Sequence, residues 1–160
     1  MKQLFLSLIG ITLLSSAAAF VTWKLVGPPD RSVQCDPDDL PEHHVCLETV
    51  RSWDQGSILW VDARPRDLWK KDGVPGSILV NDQEDWEELE EQFVMSVFGD
   101  GSGTLNKVVV YCNQSGCSSS TYVADRLRER HAEALGFQVF VLHGGVKALQ
   151  AEAGLAKSSR

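Results

Sequence analysis

The chain has 160 residues, 43% of them hydrophobic and 23% charged, so it can bury a core and is not a disordered polymer. Its length suits one domain with an appendage. The net charge of −7 gives no footing for nucleic acid, whose binding depends on neutralising phosphates.

The first 26 residues, MKQLFLSLIGITLLSSAAAFVTWKLV, carry Lys2 and then no charge from Gln3 to Trp23. The 20 residues Leu4–Trp23 are long enough to cross a bilayer core. The same stretch also reads as a cleaved signal, with a small-residue site near Ala17–Ala19, or as a core helix. Residues 1–26 are assigned to a transmembrane anchor or signal peptide, 27–44 to a linker and 45–156 to the folded domain. Both main readings carry the chain from Asp30 onward across the membrane. The domain is then membrane-anchored on the periplasmic or extracellular side, or secreted. The charge bias that sets orientation is small, with Lys2 on one flank against Lys24 and Arg31 on the other. Beyond residue 34 there are 12 basic and 21 acidic residues, net −9.

The linker, GPPDRSVQCDPDDLPEHH, is rich in Pro, Asp and Gly. Leu47, Val50 and Trp53 fall at helical spacing before Gly56 and predict a short helix. SILWVDARP is a strand stopped by Pro65. RDLWKKDG is a brief helix with Leu68 and Trp69 inward, and PGSILVN a second short strand. Trp86, Leu89, Phe93 and Val97 share one face of a long helix. Its acidic run Glu84–Glu91 reads as a solvated face, with Asp and Glu favoured near the helix start. GDGSGT is a loop. KVVVYC is continuously apolar, as a buried parallel strand is. SSSTYVADRLRERHAEAL is a helix ended by Gly136, FQVFVL the last strand, HGG a turn and VKALQAEAGLA a closing helix. Alternating strands and helices predict an α/β layered domain with a mainly parallel sheet, preceded by one hydrophobic N-terminal helix.

The four cysteines form two local pairs, Cys35/Cys46 and Cys112/Cys117. In an oxidising compartment an even count invites disulfides. Cys35 and Cys46 bracket a loop-like stretch and read as a structural disulfide. Cys112 closes a strand, where active sites of open α/β sheets lie. Asn113, Gln114, Ser115, Gly116, Cys117 and Ser118 follow, all small or polar. Such a loop can turn backbone N–H groups inward, and the next helix N-terminus adds its positive end. A thiol there has a lowered pKa and is a nucleophile without any metal or organic cofactor. Buried filler cysteines, or an inert Cys112–Cys117 disulfide, are the bland alternatives. No metal site is expected, because C-x4-C lacks a second ligand pair and His43, His44 and His143 are scattered.

Three segments in order resemble the rhodanese (thiosulfate sulfurtransferase) family. WVDARPRDLWKKDGVPGSILVN, with Asp62, Arg64, Pro75 and Gly76, is similar to the family's strand, Asp-x-Arg and Pro-Gly segment. KVVVYCNQSGCSSSTYVADRL is similar to its catalytic strand, loop and helix, with Cys112 at the nucleophile. VFVLHGGVKAL, with Gly144 and Gly145, is similar to its closing segment. The resemblance runs from about Val45 to Gln150. It implies a three-layer domain with a five-stranded sheet flanked by helices. It also implies a persulfide on Cys112 and sulfur transfer to a thiol or cyanide, from a small sulfur-containing anion or a persulfide. Asp62 and Arg64 are expected as supporting hydrogen-bonding residues.

The segments also depart from the family. The loop carries no Arg or Lys, and Ser118 stands where Cys-x5-Arg phosphatases and arsenate reductases carry their Arg. The helix start reads as displaced outward, which makes the loop longer than the six-residue standard. Gly73 replaces a frequent His, and Leu149 lies near where a Trp is common. Three functions follow: an exported or tethered sulfurtransferase in which Cys117 resolves the persulfide or modulates the loop, a thiol–disulfide redox module on Cys112/Cys117, and a non-catalytic binding module.

Overall fold

The computed structural model describes residues 35–99, 105–113 and 117–158, together with Ser15, and of residues 152–158 the backbone alone. The chain divides into two units, Met1–Arg31 and Ser32–Arg160. The anchor or signal expected over residues 1–26 lies outside the described residues except for Ser15, and most of the GDGSGT loop does so too. No helix among the described residues is long and apolar enough to cross a membrane.

Five strands form one sheet: β1 (His44–Val45), β2 (Ile58–Asp62), β3 (Ile78–Leu79), β4 (Lys107–Tyr111) and β5 (Gln138–Leu142). Their order is β1-β5-β4-β2-β3 and every pairing is parallel. The helices are α1 (Leu47–Ser52), α2 (Arg66–Asp72), α3 (Trp86–Gly99), α4 (Ser118–Leu127), α5 (Glu133–Leu135) and α6 (Gly145–Ser158). The α/β class and the five-stranded parallel sheet are as the sequence predicts.

The middle of the sheet is the most apolar strand. Val108, Val109, Val110 and Tyr111 are all buried, because β4 has a strand on each edge and helices on each face. Side chains alternate across a strand. Val108, Val110 and Cys112 therefore join Leu89 and Phe93 of α3 and Val123 and Leu127 of α4 in one core cluster. Val109 and Tyr111 pack in the other, with Val50 of α1, Leu142 of β5 and Val146 of α6.

Three features differ from expectation. His44, the last residue of the expected linker, joins the sheet: it pairs with Val141 as Val45 pairs with Leu142, and the Cys35–Cys46 disulfide ties the segment before it down with its Cα atoms 5.7 Å apart. The acidic face of α3 is only partly solvated. Glu87, Glu88 and Glu91 are exposed, but Glu90 is buried against His131 Nε2 at 2.6 Å and Arg130 Nε at 2.8 Å. Glu84, before the helix, accepts from Arg66 and Asn81, and the bond from Arg66 holds its carboxyl below the usual range. Finally, the long helix expected up to Gly136 is interrupted by a π-helical turn, Arg128–Ala132, between α4 and α5. That turn carries Arg130 and His131, the two partners of Glu90. Gly136 ends the helix in the left-handed conformation, φ 71°, as its position predicts.

Candidate active site

Cys112 is the first residue beyond β4, at the carboxyl end of the central strand and only 2% exposed. Its carbonyl accepts from Val146 N at 2.7 Å. The approach depends on Gly144 and Gly145, whose φ angles of 80° and 55° turn the chain from β5 into α6. The Gly pair of the closing segment thus fastens the start of α6 to the base of the cysteine loop.

Cys117 caps α4 with extended backbone, and its side chain makes no capping bond. Its sulfur is joined to Cys112 in a disulfide, the Cα atoms 6.5 Å apart. No described cysteine is free. Ser118 opens the helix and is exposed, as is Asn113. Gln114, Ser115 and Gly116 lie outside the described residues. The loop is thus no longer than the six positions from Cys112 to Cys117. The expected outward shift of the helix does not occur, because Ser120, in its first turn, bonds back to the Cys117 carbonyl at 3.1 Å and fixes the start. Ser119 Oγ lies 3.3 Å from Asp82 Oδ2.

The Ser120 hydroxyl, 3% exposed, also lies 3.6 Å from Cys112 Sγ. It has one proton for two acceptors, the Cys117 carbonyl and the Cys112 sulfur. A thiolate on Cys112 is the stronger acceptor, so reduction draws this proton toward the sulfur. The same sulfur sits beside the N-terminus of α4, whose dipole favours negative charge.

Asp62 and Arg64 form a buried network against Tyr111, the residue before Cys112. Asp62 ends β2 opposite Tyr111 and is fully buried. Arg64 Nε lies 3.0 Å from Asp62 Oδ1, its second nitrogen donates to Asp62 Oδ2 at 2.8 Å, and its third reaches Asp72 Oδ1 at 2.8 Å. The guanidinium lies 5.6 Å from the centre of the Tyr111 ring. Tyr111 in turn accepts from Val74 N at 2.9 Å and donates to Ser77 Oγ at 3.3 Å. The residue before Cys112 is thus bolted to the Pro-Gly segment. At Gly73 a Cβ would stand 2.6 Å from the Trp69 carbonyl oxygen, so a larger residue here requires a backbone shift.

Ser120, Tyr111 and Asp72 were not singled out by sequence. Ser120 could have been found as the Ser three positions after the helix cap. Asp72, eight positions from Arg64, has no local signal. Among the described residues no group of His, Cys, Asp and Glu could hold a metal ion.

The fold is a parallel α/β domain with a cysteine pair between the end of its central strand and a helix N-terminus. The family model of the rhodanese-like domain matches residues 48–152, and the chain belongs to that family. Among solved structures, the BH2092 protein from Bacillus halodurans is 19% identical with a TM-score of 0.46, the match covering 69% of this chain and 73% of that one. An N-terminal domain from Clostridium difficile 630, part of a protein named for putative ATP/GTP binding, is 18% identical with a TM-score of 0.45. That match covers 69% of this chain and 98% of that one. No curated protein matches the chain.

Proposed function

We propose that this chain is a sulfurtransferase that carries sulfane sulfur as a persulfide on Cys112, held outside the cytoplasm by its N-terminal segment or secreted after cleavage. The observation that carries the reading is the placement of Cys112 Sγ at the end of β4, beside the N-terminus of α4 and the Ser120 hydroxyl. These groups stabilise a sulfur anion, whether thiolate or the outer atom of a persulfide. The Cys35–Cys46 disulfide supports an oxidising compartment. The donor is a small sulfur-containing anion or a persulfide, and the acceptor a low-molecular-weight or protein thiol. Because Cys112–Ser120 contains no basic residue, a monoanionic persulfide suits the loop better than dianionic thiosulfate.

The test is intact mass of the reduced Cys117→Ser chain, which lacks the second sulfur, after thiosulfate or glutathione persulfide, followed by gel filtration. The expected result is a gain of one sulfur atom, about 32 Da, mapped to Cys112. Transfer at the parental rate by Cys112→Ser would sink the assignment.

The Cys112–Cys117 disulfide favours one second reading, a thiol–disulfide redox module. That reading expects dithiol exchange to be lost with either cysteine and no sulfur adduct in any variant.

A further inference from the structure

A persulfide on Cys112 offers two sulfur atoms to a nucleophile, either side of one S–S bond, and the position of Cys117 selects between them. Attack on the outer sulfur passes the sulfane atom onward. Attack on the inner sulfur, Cys112 Sγ, expels the outer atom as hydrosulfide. The disulfide shows that Cys117 Sγ reaches Cys112 Sγ itself, with the two Cα atoms 6.5 Å apart. Cys117 caps α4, where its thiolate is favoured, and it is half-buried while Cys112 is 2% exposed.

Resting on the carrier reading above, we infer that the domain is a sulfide-releasing persulfide reductase. Cys117 resolves the Cys112 persulfide to the observed disulfide, and an external dithiol returns the pair to its reduced state. In the first step the Cys117 thiol loses its proton and attacks Cys112 Sγ. The Cys112–Cys117 bond forms, the bond to the outer sulfur breaks, and that atom leaves with the proton as hydrosulfide. The sulfane sulfur gains two electrons and the two cysteines together lose two. In the second step a dithiol is oxidised to its own disulfide and both cysteines regain their hydrogens.

The geometry also orders the second step. Cys112 is enclosed in the core cluster of α3 and α4, so the incoming dithiol meets Cys117 Sγ first. Cys112 is then the leaving sulfur, and its anion takes the Ser120 proton. The oxidised domain presents no accessible Cys112 to a donor. One catalytic cycle therefore needs one dithiol, and the reaction class that must follow this one is thiol–disulfide exchange.

The experiment uses the full chain, reduced and desalted, with thiosulfate in one arm and glutathione persulfide in the other. Parent, Cys117→Ser and Cys117→Ala are compared by peptide-mapped mass and by sulfide release. The expected result is one equivalent of sulfide from the parent, with the Cys112–Cys117 peptide two hydrogens lighter. Both variants hold the added sulfur on Cys112 and release sulfide at least tenfold more slowly. A parent that keeps the added sulfur without releasing sulfide overturns the reductase and leaves the carrier standing. If no chain, parent or variant, gains sulfur on Cys112 or releases sulfide in either arm, the carrier reading falls and the reductase with it.

Discussion

Ser120 Oγ stands 3.6 Å from Cys112 Sγ, although eight positions separate the two residues. A hydrogen bond to a charged group contributes about 1.5–3 kcal/mol. Ser120→Ala removes the donor without opening a large cavity. The alkylation rate of Cys112 at neutral pH, measured in reduced Cys117→Ser protein, is expected to fall about tenfold or more. An unchanged rate would show that the hydroxyl serves only the Cys117 carbonyl.

Arg64 and Asp62 form a buried pair, 2% and 0% exposed. Truncating one partner of such a pair leaves an uncompensated charge and costs about 3–5 kcal/mol. Arg64→Ala is expected to lose about that much in urea unfolding. Arg64→Lys restores only part of it, because one ammonium cannot serve Asp62 and Asp72 in the fork geometry of a guanidinium.

Burial pushes the Tyr111 hydroxyl up from 10.0 to about 12, and the neighbouring Asp62 carboxylate works in the same direction. The fold therefore favours the neutral phenol. Its stabilising contribution is complete below pH 10 and is lost as the pH rises through about 12, in all about 2–3 kcal/mol. The chain has two tyrosines, so Tyr122→Phe leaves Tyr111 alone. Its ultraviolet titration should give a midpoint near 12, and a midpoint near 10 would contradict the buried network.

Glu90 and Glu91 are adjacent in sequence and opposite in environment. Glu90→Gln weakens the contacts to His131 and Arg130 and is expected to cost about 1–2 kcal/mol. Glu91→Gln, on the exposed face, should stay within about 0.5 kcal/mol. Equal effects in denaturant titrations would mean that the π-helical turn does not hold Glu90 in solution.

The Cys35–Cys46 disulfide closes a loop of 11 positions at the β1 edge of the sheet. Closing a loop of that size stabilises by about 2–3 kcal/mol. The double variant Cys35→Ser with Cys46→Ser should lose about that much in urea unfolding. Amide exchange should accelerate first at Val141 and His143, whose N–H groups bond to His43 and Val45.

Much of this molecule could be read along the chain. The continuous apolar run of β4 marked a central parallel strand, because a strand covered on both faces has no polar side to show. Cys112 was legible as a candidate site because it ends that run and precedes small polar residues. The Gly144–Gly145 pair was legible as a turn, and the structure shows both residues at positive φ. What the chain alone could not decide is what lies across it. Whether Glu90 faces water depended on a π-helical turn some 40 positions away, and the third arm of Arg64 on Asp72 of another element. Ser120 met Cys112 only because α4 starts directly after Cys117. Local patterning records which face of an element is buried. Pairing of charged groups between elements, and the approach of Ser120 to Cys112, are decided by how separate elements pack, which local patterning does not record.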